Sequence, residues 1–146
     1  YQEATLCMIG PDKDGTLNDV KHLINTYGLQ NSVEITGVLS KKEWHEKSKD
    51  FDIFINTTNV DNTPISVIEA MALGLPVVST NVGGLPYLID NDKDGVLVDK
   101  EQPMLMANGI HKIIEENKSS FAKKARSKVE NFDWSVVRNQ WLKLLQ

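Results

Sequence analysis

One carboxylate stands almost alone in the most informative stretch of this chain. Between Asp61 and Asp90 the single charged residue is Glu69, set among Ile65, Val67, Ile68, Ala70, Met71, Ala72 and Leu73. An unpaired carboxylate in apolar surroundings costs several kcal/mol or takes up a proton, so Glu69 needs a partner. One reading is ordinary: a narrow solvent-facing stripe, or a distant Lys or Arg. The other is a cleft wall at which Glu69 accepts hydrogen bonds from a ligand. A ribose diol suits that role, because a carboxylate accepts two O–H donors side by side.

The residues before Glu69 point to an anion. Thr63 is placed to cap a helix and Pro64 to occupy its first position, where a missing N–H is harmless. The N–H groups of Ile65 and Ser66 then lie at the positive end of the helix dipole, a ready phosphate site. Pyrophosphate at the helix mouth and ribose at Glu69 describe a nucleotide diphosphate. Asp61, just before the helix, is close enough to reach a sugar on the second phosphate. Gly10 and the Gly83-Gly84 pair would let backbone approach the ligand closely.

Positioning these groups requires alternating strands and helices, and the hydrophobic pattern supplies them. Strands are expected at Ala4–Ile9, Ser32–Leu39, Phe51–Asn56, Pro76–Ser79 and Val96–Val98. Helices are expected at Leu17–Tyr27 closed by Gly28, from a Ser40 cap through Lys49, and at Pro64–Leu73. Three more follow, at Met104–Glu116, Ser120–Asn131 and Trp134–Leu145. Such alternation implies an α/β fold, a doubly wound, mainly parallel, Rossmann-like sheet with ligands beyond the carboxyl ends of its strands.

Composition bounds the rest. The chain has 146 residues, 40% hydrophobic and 25% charged, with 20 acidic against 16 basic residues. That is one domain of average globular make-up, 1–146, with no charge balance suited to nucleic acid. No apolar run approaches the roughly 18 residues of a spanning helix. The single cysteine, Cys7, excludes an internal disulfide and reads as a small buried hydrophobe. There is neither a signal-peptide pattern nor an initiator Met, and we expect a piece of a longer protein.

Taken in order, these residues resemble a family. Asp61 and Glu69 are separated by seven residues and followed by Ala70-Met71-Ala72-Leu73-Gly74-Leu75-Pro76-Val77-Val78 and Gly83-Gly84. This is similar to the C-terminal domain of retaining glycosyltransferases of the glycosyltransferase B fold. More narrowly, it resembles the glycogen-synthase-like and sucrose-synthase-like bacterial sugar transferases of group 1. The likeness extends through Met8-Ile9-Gly10, Val33–Val38, Phe51–Ile55, Asp94–Val98 and Phe132-Asp133-Trp134.

The resemblance implies that Glu69 holds the nucleotide ribose and that Asp61, the first acidic residue of the pair, is catalytic, facing the transferred sugar and stabilising its developing positive charge. Thr63, Pro64, Ile65 and Ser66 would present backbone to phosphate or sugar, and Gly37 and Val38 would lie against the base. The substrate would be a nucleotide diphosphate sugar, UDP- or GDP-linked, with no cofactor and no metal. A glycan or lipid-linked molecule would be the acceptor, and the protein's own N-terminal domain, reached by the C-terminal helix, a further partner. In the resembled family that acceptor domain and a first strand–helix unit precede the segment matched here. Two departures bear on sugar choice: Asp61 stands where Glu is usual, and Asn62-Thr63-Pro64 replaces a Gly-Phe-Gly type of sequence.

Two other readings of the same residues stay open. One is a sugar-nucleotide epimerase of related architecture, the other a non-catalytic, flavodoxin-like binding module. The turn Gly10–Thr16 has glycines at P-loop spacing, but Thr16 replaces the lysine. The triplets Asp12–Asp14, Asp50–Asp52 and Asp92–Asp94 read as solvated turns rather than metal ligands. His22, His45 and His111 share no ligand spacing. Lys118, Lys123, Lys124, Arg126 and Lys128 read as a solvated face. Their alternative is peripheral docking on anionic lipid at the inner membrane face of a cytoplasmic enzyme.

Overall fold

In the computed structural model, which describes residues 3–145, strands and helices alternate along the chain. The order is β1 (Leu6–Ile9), α1 (Leu17–Thr26), β2 (Val33–Gly37), α2 (Lys41–Ser48), β3 (Phe54–Asn56) and α3 (Ile65–Ala72). It continues with β4 (Val77–Thr80), α4 (Leu85–Leu88), β5 (Gly95–Val98), α5 (Pro103–Glu116) and α6 (Lys118–Val129). A 3-10 turn at Glu130–Phe132 leads to α7 (Trp134–Leu144). Every strand pairing among the described residues is parallel, as the alternation of periods requires. The strands fall into two sheets, β1-β2 and β3-β4-β5, and the chain divides by its contacts into the units Tyr1–Glu46 and Lys47–Gln146.

In the first unit, β1 and β2 pair from Leu6↔Val33 to Met8↔Ile35, then shift so that Ile9 meets Gly37. The α1 helix ends as its sequence demands. Gly28 takes φ +66, and the N–H of Leu29 returns to the Ile24 carbonyl at 2.9 Å. The start of α2 is a capping box. The Ser40 N–H donates to Glu43 Oε2 at 2.8 Å while the Glu43 N–H donates to Ser40 Oγ at 3.3 Å.

The core lies in the second unit. All four residues of β4 are buried, which explains why Val77-Val78 reads as a continuous apolar run rather than an alternation. Val78, Val96, Ile113 and Phe121 form a buried cluster beneath α5 and α6. On the other side of the sequence, α3 buries Val67, Ala70 and Met71, a spacing of three and four that makes one helical face, and packs on α6. Gly109 lets α5 approach the sheet, since a Cβ there would stand 2.9 Å from Val78 Cγ1.

Two expectations are corrected. The strand expected from Phe51 begins only at Phe54, because the Asp50 and Phe51 N–H groups bond back to Lys47 and Ser48 at the end of α2. The helix α4 was not foreseen; it is a single turn after Gly84, with Leu85 and Leu88 buried.

Candidate active site

The parallel register of β3 and β4 sets Asn56 opposite Ser79, so the carboxyl ends of both strands meet at one level. Both connecting loops, residues 57–64 and 81–84, leave from that end. The Asn56 amide donates to Ser79 Oγ at 3.0 Å, and Thr80 Oγ1 donates to the Thr58 carbonyl at 2.5 Å. The Asn81 N–H reaches the Val98 carbonyl at the end of β5. In open parallel sheets this is the end at which ligands are held.

The α3 helix divides into two faces there. Val67, Ala70 and Met71 face the core, while Ile65 and Ser66 are exposed and Glu69 is half-buried on the opposite face. Residues three and four apart lie one turn above each other, so Glu69 sits about 6 Å along the axis from Ile65 and about 4.5 Å from Ser66. The helix N-terminus differs from expectation by one residue. Pro64, extended at φ −67 and ψ 117, is the N-cap itself, and its carbonyl accepts from the Val67 and Ile68 N–H groups. Thr63 is therefore one residue outside the capping position and makes no cap bond; it stays exposed, while Pro64 is buried. The N–H groups of Ile65 and Ser66 have no acceptor among the described residues. A short helix thus ends in donors aimed away from the core, one turn from a carboxylate.

Asp61 is half-buried in the loop just before this helix. Its carbonyl accepts from the Gly84 N–H at 3.2 Å. The glycine pair also permits a close approach within the chain. A Cβ on Gly83 would lie 1.7 Å from the Asp61 carbonyl oxygen, and one on Gly84 1.7 Å from that of Asn62. Close approach of chain to chain is what demands glycine here.

The remaining expected site residues belong to the first unit and lie together within it. Gly10 donates through its N–H to the Gly37 carbonyl at 2.9 Å, and Gly10, Gly37 and Val38 line a cavity of about 590 Å³. That volume is in the roughly 300–1,000 Å³ range of small-molecule sites. Val38 is largely exposed. The structure thus gathers the nine expected residues into two groups. Asp61, Thr63, Pro64, Ile65, Ser66 and Glu69 lie on one loop–helix segment, and Gly10, Gly37 and Val38 on one cavity.

The other charged clusters are held by near neighbours. Asp12 accepts from the Gly15 N–H, and Asp14 from the Thr16 N–H and hydroxyl, which holds the Asp14 carboxyl below its usual range. Lys118 pairs with Asp52, Lys112 with Asp92, and Lys128 with Asp90 and buried Asp94 at 3.2 and 3.0 Å. Arg126 pairs with Glu130, so three of the five basic residues near the late helices sit in ion pairs, with Lys123 and Lys124 exposed beside them. Residues that the sequence reading missed are Thr58 and Thr80. The signal was present in the polar ending of otherwise apolar strands, Asn56 after Phe54-Ile55 and Ser79-Thr80 after Val77-Val78.

The family model of glycosyl transferases group 1 matches residues 1–131. This chain belongs to that family. Among its relatives is a putative colanic acid biosynthesis glycosyltransferase of Escherichia coli, 33% identical over 137 residues, covering 87% of this chain and 34% of that protein. The structure of Anabaena HepE in complex with UDP superposes with a TM-score of 0.84 at 26% identity, over 97% of this chain and 40% of that one. HepE is also known in complex with UDP-glucose. A structure of the C-terminal domain of a group 1 glycosyl transferase from Francisella tularensis matches at a TM-score of 0.79 and 20% identity, over 90% of this chain and 70% of that one. As a group 1 member the chain has the fold of the C-terminal half of glycosyltransferase B enzymes. It spans about a third of the length of the curated relatives it matches.

Proposed function

We propose that this chain is the donor-binding domain of a retaining hexosyltransferase. The enzyme moves a sugar from a nucleotide diphosphate sugar, UDP- or GDP-linked, to a glycan or lipid-linked acceptor without a divalent metal. The observation that carries the reading is the α3 terminus. Two N–H groups without acceptors stand at the positive helix end, one turn from the half-buried Glu69 on the same face. The diphosphate occupies that helix mouth, against Ile65 and Ser66 with Thr63 and Pro64 alongside, and Glu69 accepts from the ribose hydroxyls. Asp61 faces the transferred sugar. As the bond from the anomeric carbon to the diphosphate breaks, its carboxylate stabilises the positive charge left on the sugar, and the helix dipole takes up the charge of the leaving diphosphate. Gly10, Gly37 and Val38, which line the cavity of the first unit, are the proposed contacts of the base. Membership of group 1 and the likeness to HepE, which binds UDP and UDP-glucose, support this assignment.

The whole enzyme, on this reading, has an N-terminal acceptor domain and a further strand–helix unit, and works in the cytoplasm. The α7 helix is the contact to the acceptor domain. It has no buried residue, and Trp134, Trp141, Leu144 and Leu145 are each more than half exposed. A lipid-linked acceptor would bring the enzyme to the inner membrane face, with Lys123 and Lys124 toward anionic lipid.

The test is calorimetric titration of the chain with UDP. Glu69→Gln removes a charge-assisted pair of hydrogen bonds, each worth about 1.5–3 kcal/mol, and lowers affinity at least tenfold. Asp61→Asn leaves UDP affinity within twofold, since UDP carries no sugar beyond its second phosphate. Equal affinities for the unsubstituted chain and Glu69→Gln would contradict the ribose assignment.

A further inference from the structure

We infer that Thr80, Gly83 and Gly84 are positioning residues for Asp61: they clamp the backbone of the 57–62 loop and so set where the Asp61 carboxylate meets the transferred sugar. The inference rests on the reading of Asp61 proposed above and deepens it. The loop has no regular structure, and Thr57, Asn59 and Val60 are exposed, so it is fixed from one side. That side is rigid. Thr80 is 3% exposed at the end of the fully buried strand β4, and its hydroxyl donates to the Thr58 carbonyl at 2.5 Å. The Thr58 hydroxyl in turn donates to the Val60 carbonyl at 3.0 Å. Three residues beyond the end of β4 comes Gly83 at φ +54, then Gly84, whose N–H donates to the Asp61 carbonyl. Immediately after them Leu85 and Leu88 are buried and anchor the turn.

The glycines also fix how near the loop may come. Any side chain at 83 or 84 meets the Asp61 or Asn62 carbonyl oxygen at 1.7 Å, so the loop must lift away. Asp61 has one methylene fewer than a Glu, and the place of its carboxylate therefore follows the backbone closely. A displacement of about 1 Å at a reacting group is enough to lose most of its contribution. The hydroxyl bond of Thr80 goes to Thr58, outside the Thr63–Glu69 segment proposed to hold the nucleotide, which separates its effect from that of Glu69.

The experiment follows backbone amide shifts while the chain is titrated with UDP and, separately, with UDP-glucose. Thr80→Val, Thr80→Ser and Gly84→Ala are compared with the unsubstituted chain. In the unsubstituted chain the sugar adds shifts at Asp61 and Asn62 that UDP alone does not produce. Thr80→Val and Gly84→Ala lose those added shifts while the UDP dissociation constant stays within twofold, and Thr80→Ser, which keeps the hydroxyl, restores them. Thr80→Val is nearly isosteric and serves where Gly84→Ala fails to fold. Sugar-dependent shifts unchanged in Thr80→Val overturn the inference, as does an unsubstituted chain in which UDP and UDP-glucose shift Asp61 and Asn62 alike. A chain that binds neither ligand overturns the nucleotide reading itself, an outcome distinct from both.

Discussion

Asp61 and Glu69 differ in what they ask of their surroundings. Glu69 lies on a helix whose core face is fixed by Val67, Ala70 and Met71, so its direction follows from helical geometry. Asp61 lies on a loop and owes its place to bonds from other segments. On the role proposed for Asp61, Asp61→Asn in the full-length enzyme keeps the size of the side chain but removes the charge proposed to answer the developing oxocarbenium. We expect kcat to fall about 10²–10³-fold, the usual effect of losing one electrostatic stabiliser, with the donor KM changed less than threefold. Steady-state kinetics with the donor sugar checks this; a fall in kcat below fivefold would place the charge elsewhere. At this scale the sequence was informative where chemistry and periodicity coincide. A lone charge in an apolar helix is visible without coordinates. The Thr80–Thr58 bond and the contact of Gly83-Gly84 with Asp61-Asn62 join residues about twenty apart, and no local pattern announces them.

Among the elements, the caps were the most legible and the strand edges the least. Ser40 with Glu43, Gly28 after α1 and the wholly buried β4 with its Val77-Val78 run follow from local rules. Phe51–Ile53 misled because an apolar run next to a helix end can be claimed by either neighbour, and the carbonyls of α2 claimed it. Thr63 misled because a proline after it moved the cap by one residue. The cap of α7 gives a prediction at this scale. Asp133 accepts from the Ser135 N–H at 2.8 Å and from its hydroxyl at 2.5 Å, and these bonds hold its carboxyl below the ordinary value of 3.8. A carboxylate with a lowered folded pKa stabilises the structure above its unfolded pKa and loses that effect as pH falls through the folded one. The first turn of α7 therefore frays only as the pH falls below the ordinary carboxyl value, seen as a shift of the Ser135 amide, whereas Asp133→Asn, which keeps an acceptor, shows no such titration. A Ser135 amide indifferent to acid in the unsubstituted chain would remove Asp133 from the cap.

The whole molecule is an α/β chain of parallel strands with candidate groups in each of its two units, and it belongs to a family of sugar transferases. Which strands join which sheet was not legible, since periodicity identifies strands but not their neighbours; the pairings β1-β2 and β3-β4-β5 are a property of the fold. The exposed apolar residues of α7 support the proposed contact with an acceptor domain, and the chain spans about a third of the length of its curated relatives. The account stands or falls on the α3 terminus as a nucleotide site. The most direct test is to map backbone amide shifts of the chain during a titration with UDP, with GDP and ADP alongside. We predict that the largest shifts for all three fall on Ile65, Ser66 and Glu69, with differences between the bases confined to Gly10, Gly37 and Val38. No shift at Ile65, Ser66 or Glu69 up to about 10 mM UDP, a binding free energy weaker than about −3 kcal/mol, would contradict the account.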